Sequence, residues 1–183
     1  MLNLLVFHAA YSDPNFKPHL METKDLANTF QFIVQICFCL VVDDIAFYFT
    51  HRLMHTPFFY TRFHKVHHSF TSTISLATSY THPFEYLFGN MLPIILGPLI
   101  LGPDMHLLTA MCWYGLRTSE SLDGHCGYEF SWSPYRFVPF SGGSAYHDFH
   151  HSSNVGNYSS WFSIMDTVFG TNKDFYDQIK KNI

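Results

Sequence analysis

The sequence predicts an all-α protein whose long apolar helices enter a membrane. Three observations predict it: few charges, uncharged apolar runs of spanning length, and histidines at helical spacing. Of 183 residues, 48% are hydrophobic, 19% aromatic and only 13% charged. That charged share is about half the usual quarter of residues. Such a chain has either an unusually apolar core or a lipid surround. The length suits one domain with a sizeable core. Residues 1–25 read as an N-terminal segment and 26–183 as a single membrane domain. A net charge of −4 leaves no basic field for nucleic acid.

The opening "MLNLLVFHAAY" is apolar but short. It lacks a basic n-region and a small-residue cleavage site, so it does not read as a signal peptide. His8 and His19 have no partner pattern. Residues 26–42, "LANTFQFIVQICFCLVV", carry no charge, and with "DDIAFYF" they reach the roughly 20 residues that span a hydrocarbon core. "HRLMH" follows, with His51 and His55 at i and i+4. "HKVHHSF" then places His64, His67 and His68 at i, i+3 and i+4.

His82 precedes Pro83 in "SYTHPFEY", where a second apolar stretch begins. Ligand, hydrogen-bond donor to a ligand and helix-entry residue are all open readings there. Residues 87–102, "LFGNMLPIILGPLILG", are uncharged but contain Pro93 and Pro98, so a helix would be kinked. "MHLLTAMCWYGL" returns after Gly-Pro-Asp, and the two pieces predict a hairpin that enters and leaves the membrane. The alternative is a pair of buried core helices in a soluble protein. His106 reads as interfacial. His125 in "SLDGHCGYEF" can return to a metal centre, and "HDFHH" repeats the earlier spacing with His147, His150 and His151. The four cysteines form no Cys-x-x-Cys pair and read as buried reduced thiols.

On an α-helix, offsets of three and four bring side chains onto one face. His150 and His151 are adjacent, so they fan apart toward two points. Neutral imidazole is a good ligand for iron, zinc, copper or nickel. A metal takes about four to six ligands, so eight or more histidines suggest two metals. A zinc protease would read His-Glu-x-x-His, but Arg52 stands in the glutamate's place. Soluble di-iron carboxylate bundles need Glu-x-x-His, which is absent. What remains is a non-haem, histidine-rich dimetal centre at the edge of a membrane, with iron the expected metal. Asp44, Asp123 and Asp148 are candidates to accept the second ring N–H of a ligating histidine. Asp43 beside a membrane segment must face a polar interior. Tyr80, Tyr128, Tyr146 and Trp161 read as an interfacial aromatic belt, with a pocket lining as the alternative.

"HRLMH", "HKVHHSF", "THPFEY", "DGHCGYEF", "HDFHH" and "GNYSSWFSIMDTVFGT" resemble the fatty acid hydroxylase superfamily of membrane di-iron oxygenases. Within it, the text between the boxes is most similar to the methylsterol monooxygenase (sterol C-4 methyl oxidase) branch. The resemblance runs from about Val41 to Thr171. It implies an integral-membrane helical bundle with a cytosolic histidine-box cap. It implies metal ligation by His51, His55, His64, His67, His68, His82, His125, His147, His150 and His151. It implies two iron ions, with zinc as a substitute, molecular oxygen, and electrons from NAD(P)H through a haem carrier or a reductase. The expected reaction oxidises a sterol C-4 methyl group stepwise to a carboxylate, which a partner sterol dehydrogenase then removes. Another lipid hydroxylase or desaturase, or a non-catalytic subunit of a larger membrane assembly, are the alternatives. Family members carry about a hundred further residues upstream, so the expected entry tunnel is either incomplete here or completed by a partner. The terminal Lys180-Lys181-Asn182-Ile183 resembles a dilysine retrieval signal, consistent with a multi-pass protein of the endoplasmic reticulum. A mitochondrial membrane complex is the alternative location.

Overall fold

The computed structural model describes residues 26–181. Expectations for residues 1–25, including His8 and His19, and for the end of the dilysine tail lie outside it. Among the described residues the chain is helical and contains no strand.

Helix α1 spans Thr29–Met54. Asn28 starts it with a reciprocal cap: its Oδ1 accepts the Gln31 N–H at 2.9 Å, and Gln31 Oε1 accepts the Asn28 N–H at 3.1 Å. At 1.5 Å per residue, α1 is about 39 Å long, more than a hydrocarbon core needs. The short α2, Pro57–Arg62, begins on a proline whose missing N–H costs nothing there. Helix α3 spans Pro83–Asp104. Its turn at Tyr86–Met91 is π-helical, and the Leu92 N–H reaches back to the Leu87 carbonyl. The following Pro93 explains the wide turn, because a proline ring clashes with the carbonyl four residues back. Helix α4, Leu107–Gly124, is capped by His106, whose Nδ1 accepts the Leu108 N–H at 3.0 Å. Helices α5 (Gly143–Ser153), α6 (Ile164–Phe169) and α7 (Lys173–Lys181) follow.

Helices α1 and α3 pack in opposite directions. Gln35 near the start of α1 donates to the Asp104 carbonyl at the end of α3, at 2.6 Å. Between these ends the backbones nearly touch. A Cβ on Gly97 would lie 2.8 Å from the Cys39 Cα, so only glycine permits this approach. Met105, Ala110, Trp113 and Trp161 close the core around Cys39. The ends of α1 and α4 and the start of α3 therefore share one end of the molecule.

Helices α1 and α3 are both long and apolar enough to cross a membrane. Only 33% and 28% of their most apolar stretches are buried, whereas the core helices of a soluble protein are mostly buried. Phe30, Ile33, Val41, Phe49 and Ile100 stand exposed on them. That outward apolar surface suits lipid. Helix α4 differs from the expected hairpin limb. It continues to Gly124 and buries Arg117, so its second half belongs to the polar end. The cysteines are unpaired, but only Cys39 is buried, while Cys37 and Cys112 are exposed. The expected aromatic belt divides: Tyr80 and Tyr128 are exposed, but Tyr146 and Trp161 are buried.

Candidate metal centre

Nine histidines converge at the shared polar end and form two groups. His51, His55, His64, His68 and His150 make one; His67, His125, His147 and His151 make the other. Within each group the ligand atoms lie within 4.8 Å of one another. The groups adjoin, with the His68 and His151 rings stacked at 4.5 Å between centroids.

Local structure sorts the rings. His51 is on the last turn of α1 and His55 is its C-cap. His147, His150 and His151 are on α5, where the i,i+4 pair His147 and His151 shares a face and joins the second group. His150 points to the first. The segment His64–Ser69 forms a 3₁₀ turn, not the α-helix that its spacing predicts. His64 and His68 nevertheless serve one group and His67 the other. His125 caps the end of α4.

The ring nitrogens face one another. Nε2 atoms approach at 3.1 Å for His55 and His150, 2.9 Å for His64 and His55, and 3.1 Å for His150 and His68. In the second group the values are 2.9 Å for His147 and His125, 3.2 Å for His151 and His147, and 3.4 Å for His125 and His67. A metal–nitrogen bond of about 2.1 Å gives neighbouring nitrogens about 3.0 Å apart in an octahedron and about 3.4 Å in a tetrahedron. The observed spacings are those of ligands around an ion.

The outer nitrogens set the tautomers. His51 Nδ1–H donates to the Tyr158 carbonyl at 2.8 Å, His125 to Ser121 at 2.8 Å, His150 to Gly156 at 2.6 Å and His151 to Phe70 at 2.9 Å. His64 Nδ1–H donates to the Glu85 carboxylate at 2.7 Å. Each bond leaves the Nε2 lone pair aimed into a group. Burial, reinforced by neighbouring imidazoles, pulls His55 down to about 2 and His125 to about 3. Burial alone takes His151 down to about 4. His64, His67, His68, His147 and His150 are lowered for the same reasons, burial first. At neutral pH these rings carry no proton that a cation must displace.

Among the expected site residues, His82 stands apart. Its Nδ1 accepts the Phe84 N–H at 3.1 Å, and it caps the start of α3. A lone pair used in this way, before a proline that fixes the backbone, is not free for an ion. The three aspartates also bond elsewhere. Asp44 accepts the Trp161 and Phe162 N–H groups at 2.9 and 3.0 Å, Asp123 accepts the Ser133 hydroxyl at 3.0 Å, and Asp148 accepts Thr73. The carboxylate that touches a ring is Glu85, 3% exposed at the start of α3. A buried acid opening an apolar helix is the signal that sequence reasoning passed over. Asp166 was also missed. It is fully buried and accepts Tyr146 Oη and the Tyr158 and Ser159 N–H groups at 2.8–2.9 Å. It thereby holds the loop whose Tyr158 carbonyl orients His51.

A family profile described as fatty acid hydroxylase matches residues 36–171, which contain all nine clustered histidines. The chain belongs to the fatty acid hydroxylase family. That family is one of iron-dependent oxygenases, and the two histidine groups fit its requirement for metal. The chain is 38% identical to very-long-chain aldehyde decarbonylase GL1-11 of Oryza sativa subsp. indica, over 96% of this chain and 69% of that protein. It is 38% identical to methylsterol monooxygenase 2-2 of Arabidopsis thaliana, over 95% of this chain and 65% of that protein. It is 40% identical to the rice aldehyde decarbonylase GL1-8, over 85% of this chain and 58% of that protein. The chain thus spans about two-thirds of these relatives' lengths or less. No solved structure matches it.

Proposed function

We propose that this fatty acid hydroxylase family member is a membrane di-iron monooxygenase that oxidises a sterol C-4 methyl group. The carrying observation is the division of nine inward-facing imidazoles into two adjoining groups at one end of two apolar helices. Two groups suit two ions, and an all-histidine donor set at borderline softness suits iron, with zinc as a substitute. Bound iron would supply the redox chemistry with O2 that an unactivated C–H bond demands and that side chains lack. The protein's part is to orient and to exclude water. His150 and His151 are fully buried, and the carbonyls of Tyr158, Ser121, Gly156 and Phe70 hold rings in place. The exposed apolar faces of α1 and α3 support a bundle that takes its lipid from the bilayer, with the histidine end as a cap on the cytosolic side. Electrons would come from NAD(P)H through a haem carrier or reductase, and a sterol dehydrogenase would consume the carboxylate. The endoplasmic reticulum fits these partners.

A second reading keeps the centre and changes the lipid. The rice relatives named for very-long-chain aldehydes match as closely as the methylsterol relative, which supports an aliphatic aldehyde as the alternative substrate.

One experiment separates them. The iron-loaded protein in bilayers, with NADPH and a competent reductase, is given labelled 4-methylsterol, very-long-chain aldehyde and acyl lipid under labelled O2. The leading reading expects label in a 4-hydroxymethyl or 4-carboxyl sterol. Conversion of the aldehyde alone selects the second reading, and no oxygen-dependent product from any lipid defeats both.

A further inference from the structure

We propose that the cleft beside His125 and His147 seats a hydroxyl group that the substrate already carries near its reacting carbon. This rests on the methylsterol reading and names what fixes the sterol there. The cleft encloses about 40 Å3, room for a hydroxyl group, and two of the four histidines of the second metal group, His125 and His147, form part of its wall. The lining also includes the polar side chains of Arg117, Glu120, Ser159 and Ser160. Ser159 is the informative member. It is 2% exposed, and its Oγ has no hydrogen-bond partner. A buried hydroxyl left unpaired is costly, so a ligand group that meets it gains binding. Glu120 lines the same cleft, held by Arg117 at 2.6 Å and by the Ser160 hydroxyl at 3.3 Å. Its carboxylate keeps lone pairs for one more donor.

Together a serine hydroxyl and a carboxylate match a group that both donates and accepts. A hydroxyl does both. A carbonyl would meet the serine but place its oxygen against the carboxylate. A sterol carries its hydroxyl on C-3, next to the C-4 that bears the methyl group. Anchoring one therefore positions the other. The anchor is rigid relative to the histidines. The Ser159 N–H is fixed to Asp166 at 2.8 Å, and the adjacent Tyr158 carbonyl takes His51 Nδ1–H.

The test measures binding to the metal-loaded protein in bilayer discs, by displacement of a fluorescent sterol, so that turnover is not required. Three probes are used: a 4-methylsterol, its 3-deoxy analogue and its 3-methyl ether. The expected preference for the free hydroxyl is about tenfold in the unaltered protein. Ser159→Ala should reduce that preference, Glu120 still accepting from the hydroxyl, while leaving the deoxy analogue's affinity unchanged. Ser159→Thr keeps a hydroxyl and should keep most of the preference, and a thermal melt identifies any variant that fails to fold. Glu120→Gln should weaken binding of the free hydroxyl more than of the ether. An unaltered preference in folded Ser159→Ala, with methylsterol still oxidised, overturns the seat and leaves the function standing. Binding of no sterol at all overturns both.

Discussion

The Glu85 carboxylate accepts the Nδ1–H of His64 at 2.7 Å, and both side chains are nearly sealed from solvent. The pair joins the 3₁₀ turn to the start of α3. It fixes the His64 ring so that Nε2 faces His55 at 2.9 Å. Replacing a carboxylate that orients a metal-bound histidine lowers metal affinity by about 10–100-fold. Glu85→Gln is therefore expected to weaken iron binding by about that factor. Competition against a calibrated chelator measures it. Unchanged affinity would show that His64 is oriented by packing alone.

His150 and His151 are neighbours in sequence but belong to different groups. Single substitutions should therefore have separable effects. His150→Ala is expected to weaken the ion held with His51, His55, His64 and His68, and His151→Ala the ion held with His67, His125 and His147. Each variant should lose about one of two metal equivalents, because each removes one of only four or five ligands. Elemental analysis after mild chelation reads the stoichiometry. Loss of both equivalents from either variant would mean that the groups act as one site.

Much of this site is legible in the sequence, for a reason of geometry. Three- and four-residue spacings survive folding whenever the local structure is helical, so "HDFHH" reports its own arrangement. "HKVHH" reports its members but not its winding, since a 3₁₀ turn and an α-helix share the same i,i+3 signature over five residues. His82 misleads because a histidine before a proline is equally suited to cap a helix, and here its lone pair goes to Phe84. The supports are the least legible part. Four of the five groups that orient the rings are backbone carbonyls, which leave no side-chain trace. Glu85 pairs with a histidine 21 residues earlier, a contact that no local period encodes.

Acid should unfold the metal-free protein early. In the folded chain His55, His125 and His151 stay neutral down to about 2, 3 and 4, whereas their ordinary value is 6.5. Between 6.5 and those values the unfolded chain binds protons that the folded chain refuses. Stability therefore falls as pH falls through that window. The melting temperature of metal-free protein is expected to be level above pH 7 and to drop steadily from about pH 6.5 toward pH 4. Thermal melts in detergent across this range check it. A melting temperature that rises on acidification would mean that the folded protein holds charged imidazoles.

Gly97 and Gly115 make opposing predictions for the same substitution. A Cβ on Gly97 would press on the Cys39 backbone at 2.8 Å, and backbone cannot swing aside. Gly97→Ala is expected to cost about 1–3 kcal/mol through overpacking. Gly115 lies in α4 with nothing within 4 Å of such an atom. Gly115→Ala is expected to stabilise by up to about 1 kcal/mol, the helix-propensity difference. Melting temperatures of the two variants in the same detergent should move in opposite directions.

Asp166 shows how a residue outside the groups can govern one of them. Its Oδ1 accepts the Tyr158 N–H at 2.9 Å and the Thr171 hydroxyl at 2.6 Å; its Oδ2 accepts the Ser159 N–H at 2.8 Å and the Tyr146 hydroxyl at 2.9 Å. Each oxygen meets one backbone N–H and one hydroxyl, so whichever way an asparagine amide turns, its NH2 faces a backbone N–H that cannot accept, while the hydroxyl beside it can rotate to do so. A donor left unpaired in a buried site costs about 1–3 kcal/mol, so Asp166→Asn is expected to cost about that much. The strain falls on the loop whose Tyr158 carbonyl holds His51, and His51 serves only the first group. Metal binding at the first group should therefore weaken more than at the second, although Asp166 touches neither. Melting temperature and stepwise metal release, measured on the same sample, test both halves. A destabilised variant that loses the two ions equally would place Asp166 in general stability and not in the support of His51.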